Sequence, residues 1–311
     1  MKTILVPLDG SALAEQTLPY VRMLAPLLGA TIHVLRVIPD DEKNALLASD
    51  PAVLREAEAT GAPLWEREAG VWDMLRQRAE GYLDAQTIAL RTAGFDVRSH
   101  VQIGAPAEMI SAVAEQIHAD LIAMATHGYT GFKRWTLGSV TDKVVQAATT
   151  PVFVVPGSAT PVGEPQLKRI LLPLDGSAFA RQALPLATEI AVQACAELLL
   201  FQAVLPSVET FHGALLPADA QNMLRDHARE ELRALAGELR PYEVPVKTVV
   251  VIGYPAEEIV EAAARHQVDL IVMATHGYGG IKRWALGGVA DKVLHATPTP
   301  LLLVRPRAGE A

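Results

Sequence analysis

The sequence predicts an α/β protein made of two tandem copies of one open, parallel-sheet domain, and three observations carry that prediction. Ile4–Pro19 (ILVPLDGSALAEQTLP) returns as Ile170–Pro185 (ILLPLDGSAFARQALP), an offset of 166. Asp120–Val155 returns as Asp269–Val304, an offset of 149. Within each copy, short apolar runs alternate with segments of helical periodicity, the pattern of strands buried on both faces and joined by crossover helices. A chain of 311 residues suits two such units, each large enough to bury a core without a disulfide or a metal. The offsets differ by 166 − 149 = 17, so the first copy carries that many additional residues, within the charged, helix-patterned region 40–91. A Pro- and Gly-rich stretch separates the copies, giving domains at 1–156 and 167–306 with a linker at 157–166.

The elements of the first copy follow in order. Thr3–Leu8 is a short apolar run ending at Asp9-Gly10, as a buried parallel strand would. Ser11 is placed to cap a helix whose apolar residues Leu18, Val21, Leu24 and Leu28 recur every three or four positions, and Gly29 ends it. Thr31–Val37 is a second strand and Val97–Ile103 a third, followed by a helix over Ala107–His118 with Pro106 at its start. Leu121–Ala125 is a fourth strand, Ser139–Ala148 a helix, and Val152–Val155 a fifth strand. In a parallel sheet of this kind the ligand crevice lies beyond the carboxyl ends of the strands, at the switch point in strand order. Asp9 and the loop after Ala125 stand at such ends.

Composition narrows the function classes. Half of the residues are hydrophobic and a fifth are charged, a globular balance. The net charge of −8 is spread along the chain without a basic block, which argues against nucleic acid as the main partner. The apolar start of the chain breaks at Asp9-Gly10, too soon for an export signal, and no apolar run reaches the length of a membrane span. The single cysteine, Cys195, has no internal partner and reads as part of a buried helix-to-strand segment, which fits a cytoplasmic location.

The stretch richest in chemistry is Met124-Ala-Thr-His-Gly128, followed after nine residues by Gly138-Ser139-Val140-Thr141. A loop leaves a strand, passes glycines and enters a helix through Gly-Ser. Glycine lets backbone approach a phosphate closely, and the free N–H groups of a helix start point at an anion with the helix dipole behind them. The hydroxyls of Ser139 and Thr141 add donors. A single copy would equally well be a turn plus a helix cap. The second copy repeats the spacing, with Met273, Ala274, Gly277 and Gly287-Gly288-Val289-Ala290.

These residues resemble the universal stress protein family, whose ATP signature is Gly-x2-Gly-x9-Gly-Ser/Thr, with Pro-x-Asp at the end of the first strand. The resemblance covers nearly the whole chain outside the linker and the 40–91 region. It implies two Rossmann-like sheets of strand order 3-2-1-4-5, ATP in the crevice, and domains paired through their fifth strands; Mg2+ could accompany ATP, held mainly by its phosphates. A homodimer built on that intramolecular pseudo-dimer would follow. By position, Asp9 would bond the ribose hydroxyls, Pro7 would flank the base and the backbone of Val37 would read the adenine edge. Met124 and Ala125 would line the ribose, and Gly128 with Gly138, Ser139, Val140 and Thr141 would hold phosphates. The matching positions in the second copy are Pro173, Asp175, Ala203, Met273, Ala274, Gly277, Gly287, Gly288, Val289 and Ala290.

Two departures from the signature stand out. Its first glycine is Ala125 or Ala274, which is tolerable unless φ there is positive. The hydroxyl positions of the second copy are Gly288 and Ala290, so that site is expected to hold phosphate less well, or to take AMP or ADP. His127 and His276 read as loop packing, Lys133-Arg134 and Lys282-Arg283 as loop tips or phosphate covers, and Trp135 and Trp284 as packing anchors. No His, Cys or Asp cluster has metal-site spacing, and no catalytic set stands out. A phosphatase-type nucleophile is missing, because Pro7 and Pro173 occupy its position two residues ahead of Asp-Gly. The leading expectation is therefore a cytoplasmic, ATP-binding regulatory protein of the stress response. The alternatives are a slow ATPase and a nucleotide-free interaction module of the same fold.

Overall fold

The computed structural model describes residues 2–42, 64–126, 138–159, 163–206, 218–275 and 286–306. In the first copy, β1 (Lys2–Pro7) leads through α1 (Ala12–Glu15) and α2 (Thr17–Leu28) to β2 (Ala30–Ile38). Then come α3 (Leu64–Thr92), β3 (Val97–Ile103), α4 (Pro106–Gln116), β4 (Leu121–Ala125), α5 (Ser139–Ala147) and β5 (Val152–Val155). The second copy repeats them as β6 (Arg169–Leu174), α6 (Ala178–Arg181), α7 (Leu184–Ala194), β7 (Glu197–Val204) and α8 (Ala218–Glu238). It closes with β8 (Val246–Ile252), α9 (Pro255–Arg265), β9 (Leu270–Ala274), α10 (Gly288–Ala296) and β10 (Leu301–Val304).

Among the described residues ten strands form one sheet, in the order β3-β2-β1-β4-β5-β10-β9-β6-β7-β8. Each half has the expected order 3-2-1-4-5, and pairing within each half is parallel. The halves meet through their fifth strands, which run antiparallel: Val154 faces Leu301, Phe153 faces Leu302 and Val152 faces Leu303. These wholly apolar strands thus cover each other's edges, which would otherwise be open to pairing with another chain. The antiparallel junction also points the carboxyl ends of the two sets of strands in opposite directions.

Alternate residues along each strand feed two cores, one on each face of the sheet. One face packs α1–α3 and α6–α8 around Ile4, Leu24, Leu83, Phe153, Ile190 and Leu232; the other packs α4, α5, α9 and α10. Both cores run across the junction. Tyr20 on α2 meets Phe153 with ring centroids 6.0 Å apart, and Lys2 on β1 pairs with Glu189 on α7.

Three local expectations need correction. The helix capped by Ser11 is two short helices, broken at Gln16. Pro19 has no N–H to bond the Glu15 carbonyl, and Pro185 breaks the second copy at the same place relative to Arg181. Cys195 is exposed rather than buried. It forms the left-handed cap of α7 at φ 51°, where the first copy has Gly29 at φ 59°. The helix expected over 107–118 ends earlier, at Gln116, with His118 left-handed at φ 50°.

The long helices α3 and α8 fall into register at the offset of 149 set by β3 and β8. Ala79, Leu83 and Leu90 are buried as their counterparts Ala228, Leu232 and Leu239 are. The additional residues of the first copy therefore precede Ala79. Among the described residues, no helix is long and apolar enough to cross a membrane.

Candidate functional site

The first crevice lies beyond the carboxyl ends of β1 and β4, neighbours in the sheet that are served by helices on opposite faces. Pro7 ends β1, and the chain turns sharply at Gly10, whose φ of +84° suits a residue without Cβ. Asp9 Oδ1 accepts from the Ser11 N–H at 2.9 Å, and Ser11 Oγ accepts from the Ala14 N–H at 3.1 Å. The carboxylate is thereby fixed at the mouth of the crevice. Asp175 repeats the turn, accepting from the Ser177 N–H at 2.9 Å and from its hydroxyl at 2.5 Å, with Gly176 at φ +81°.

Across the mouth, the glycine loop is closed at its base. The Thr126 N–H donates to the Val155 carbonyl at 2.9 Å, and the Gly138 N–H donates to the Thr126 carbonyl at 2.5 Å. Gly287 closes the second loop on Thr275 at 2.8 Å. Helix α5 then begins at Ser139 with Gly138 as its cap, in extended conformation and without a side-chain cap bond; Gly287 caps α10 in the same way. Both helix starts thus leave the N–H groups of their first turn without a capping side chain, as anion binding by backbone requires.

Ser139 is exposed and Val140 half-buried at that start, but Thr141 corrects the expectation of a phosphate-binding hydroxyl. It is only 3% exposed, and its hydroxyl donates to the Ala125 carbonyl at 2.8 Å. That bond ties the helix start to the end of β4, so Thr141 acts on the crevice through its frame. Ala290, its counterpart, is equally buried and makes no such tie. Ala125 and Ala274 end strands without positive φ, which explains why alanine is accepted there. Met124, Met273 and Val37 are buried in the core on the α4–α5 and α9–α10 face, whereas Ala203 and Val140 only pack against it. Pro173 is buried at the end of β6. Gly288 and Val289 are exposed on the first turn of α10. Gly128, Gly277, His127, His276 and the Lys-Arg-Trp segments at 133–135 and 282–284 lie outside the described residues.

The other wall of the crevice comes from the long helix, and the sequence had not singled it out. In the first copy the Tyr82 hydroxyl donates to Glu15 Oε1 at 2.9 Å, and Gln86 Nε2 donates to the same oxygen at 3.1 Å. Burial, and then the bond to Glu15, hold the Tyr82 phenol well above its ordinary pKa, so it remains a neutral donor. Arg36, at the end of β2, makes a forked pair with Glu42 at 2.9 and 3.2 Å. In the second copy the matching positions are Glu231 for Tyr82, Gln202 for Arg36 and Arg181 for Glu15. The offset of 149, extended backward from β3 along the helix, was the signal that would have paired Tyr82 with Glu231.

Among the described residues, no group of three or more His, Cys, Asp or Glu side chains could hold a metal ion.

Comparison with known proteins agrees with this architecture. The model of the universal stress protein family matches residues 1–156 and again 166–305. A universal stress protein of Mycobacterium tuberculosis is 28% identical over 312 residues, covering 97% of this chain and 96% of that one. One from Methanocaldococcus jannaschii is 34% identical over 148 residues, covering 46% of this chain and 85% of that one. The crystal structure of a universal stress protein from Archaeoglobus fulgidus shares the fold at a TM-score of 0.70 and 20% identity, covering 97% of this chain and 98% of that one. The chain belongs to the universal stress protein family, as two of its domains in tandem.

Proposed function

We propose that this chain is a regulatory adenine-nucleotide-binding protein of the stress response, cytoplasmic, with ATP in the first crevice. The observation that carries the reading is the α5 start: a nine-residue helix with no side-chain cap, closed against the end of β4, the strand beside β1 whose end carries the fixed carboxylate of Asp9. Asp9 would take the ribose hydroxyls, with Pro7 and the Val37 backbone beside the base. The N–H groups of Ser139, Val140 and Thr141, with the Ser139 hydroxyl, would take phosphate oxygens, and Gly128 would complete the phosphate loop. Mg2+ would be held mainly by the phosphates, since the described residues around the crevice offer no cluster of metal ligands. A homodimer would have to use a surface other than β5 and β10, because those strands already pair with each other.

The test is direct. Nucleotide released from the purified protein by denaturation and identified by mass is expected to be an adenine nucleotide. Gly138→Val, which puts a branched side chain at the phosphate-facing cap, is expected to abolish ATP binding measured by calorimetry. Unchanged affinity in that variant would refute the proposed phosphate site.

A further inference from the structure

Helix α1 is a single turn of four residues, cut off from α2 at Gln16. One turn closes too few backbone bonds to hold itself in place, yet this one carries the Asp9 loop. At its start the Ser11 N–H donates to Asp9 Oδ1 at 2.9 Å, and the Glu15 N–H donates to the Ser11 carbonyl at 3.1 Å. At its end it is anchored by the long helix α3. Tyr82 and Gln86 stand one helical turn apart on α3, both half-buried, and converge on Glu15 Oε1 at 2.9 and 3.1 Å. The raised pKa of the phenol, due first to burial and then to Glu15, keeps this donor in place, and Asp9 is near enough to contribute to the shift. The clamp and the carboxylate of the crevice are therefore neighbours.

The second copy keeps the turn and lacks the clamp. Arg181 stands in place of Glu15, Glu231 in place of Tyr82 and Leu235 in place of Gln86. Arginine has no acceptor to offer, and Leu235 has no donor and lies in the core. Arg181 is exposed, and Glu231 Oε1 lies instead 3.6 Å from His227 Nε2 on its own helix.

We infer that Tyr82 and Gln86 are positioning residues: through Glu15 they hold the α1 turn so that the Asp9 carboxylate is set in advance for the ribose hydroxyls of a nucleotide. A group ordered before the ligand arrives need not be ordered by it, and affinity rises accordingly. The inference rests on the adenine-nucleotide reading above. It goes beyond that reading by tracing an advantage of the first crevice over the second to the long helix, which the reading gives no contact with the nucleotide.

A double-mutant cycle, read by calorimetry of ATP binding to the full chain, tests it. Tyr82→Phe removes only the hydroxyl and should weaken ATP binding about fivefold, a fraction of what a hydrogen bond to a charged group contributes. In a chain already carrying Asp9→Ala the same change should cost nothing further. Glu15→Ala should weaken binding at least as much, and Glu15→Gln, which keeps an oxygen for both donors, should recover most of that loss. A Tyr82→Phe loss that persists in the Asp9→Ala chain would overturn the inference, because the phenol would then act on the ligand without Asp9. Unchanged affinity in Tyr82→Phe, with binding still weakened by Asp9→Ala, would overturn it while leaving the nucleotide reading intact. A native chain that binds no ATP would overturn the reading itself. Amide hydrogen exchange without nucleotide separates the two: Tyr82→Phe should speed exchange at Ser11 and Ala14 but not at Ser177 and Ala180. Equal exchange at Ser11 in native and variant chains would sink the positioning role whatever the ligand.

Discussion

At the carboxyl end of β1 the turn Asp9-Gly10-Ser11 stands beside a tyrosine and an arginine, each held on a neighbouring carboxylate. At the carboxyl end of β6 the same turn stands beside a glutamate, Glu231, with the amide nitrogen of Gln202 near it. The strands, turns and helix caps that frame the two sites nevertheless match almost residue for residue. The comparison teaches that the frame and the lining are set by different parts of the chain. Short β-to-α turns fix the frame through backbone bonds, whereas the long helix and the second strand of each copy supply the lining. Two sites built on one frame can therefore differ in charge and donor pattern without any change in fold.

The largest expected effect falls on the element the two copies share. Phe153 is fully buried at the junction, against Tyr20 and opposite Leu302. Phe153→Ala should cost about 3–5 kcal/mol through lost burial and the cavity left behind. Because both cores run through the junction, denaturant unfolding should show the halves losing stability together; loss confined to one transition would show that they fold independently.

Smaller changes sharpen the contrast between copies. Cys195→Gly should stabilise the second copy by about 1 kcal/mol, since a left-handed cap strains any residue with a Cβ and Gly29 already fills the equivalent place. A lowered melting temperature would contradict that account. Thr141→Val removes the bond to the Ala125 carbonyl and should cost about 1 kcal/mol of stability. It should also weaken ATP binding, through the loosened start of α5; unchanged ATP affinity would show that the helix start holds its position without the tie.

The subtlest difference lies on β2 and β3, where His33 Nδ1 and His100 Nε2 are 2.8 Å apart with stacked rings. The second copy has Leu199 and Val249 at these positions. Burial first, then the neighbouring charges, lower the pKa of both histidines: His100 and Arg98 act on His33, against an opposing Asp96, and Arg98 acts on His100. A histidine held neutral in the fold binds fewer protons than it does unfolded. Its stabilising contribution is therefore complete above its ordinary pKa of about 6.5 and is lost as the pH falls through its lowered value. Melting temperatures across the acid range should fall for the native chain and fall less for His33→Leu combined with His100→Val. Parallel curves would remove the pair from the account.

How much of this the sequence disclosed depended on the range of the interaction. Apolar runs alternating with helices disclosed a parallel sheet, the family resemblance alone implied its strand order, and the Asp-Gly-Ser turns and Gly-Ser helix start were visible as local motifs. Cys195 misled because an apolar neighbourhood does not reveal a left-handed cap, although the aligned Gly29 signalled it. Thr141 misled because spacing places a hydroxyl near a helix start but does not say whether it faces the ligand or the preceding strand. Tyr82, Arg36, Glu231 and Gln202 escaped notice because they reach the crevice from elements distant in sequence, and because the additional residues of the first copy obscure the register of its long helix.

The central proposal is that the two crevices are unlike and that ATP binds in the first and not in the second. Calorimetric titration of the full chain with ATP, comparing Asp9→Ala with Asp175→Ala, tests it most directly. Asp9→Ala should weaken ATP binding by about 1.5–3 kcal/mol, the range for hydrogen bonds to a charged group, while Asp175→Ala should leave the ATP isotherm as it was. Equal losses in the two variants, or a loss in Asp175→Ala alone, would contradict the account.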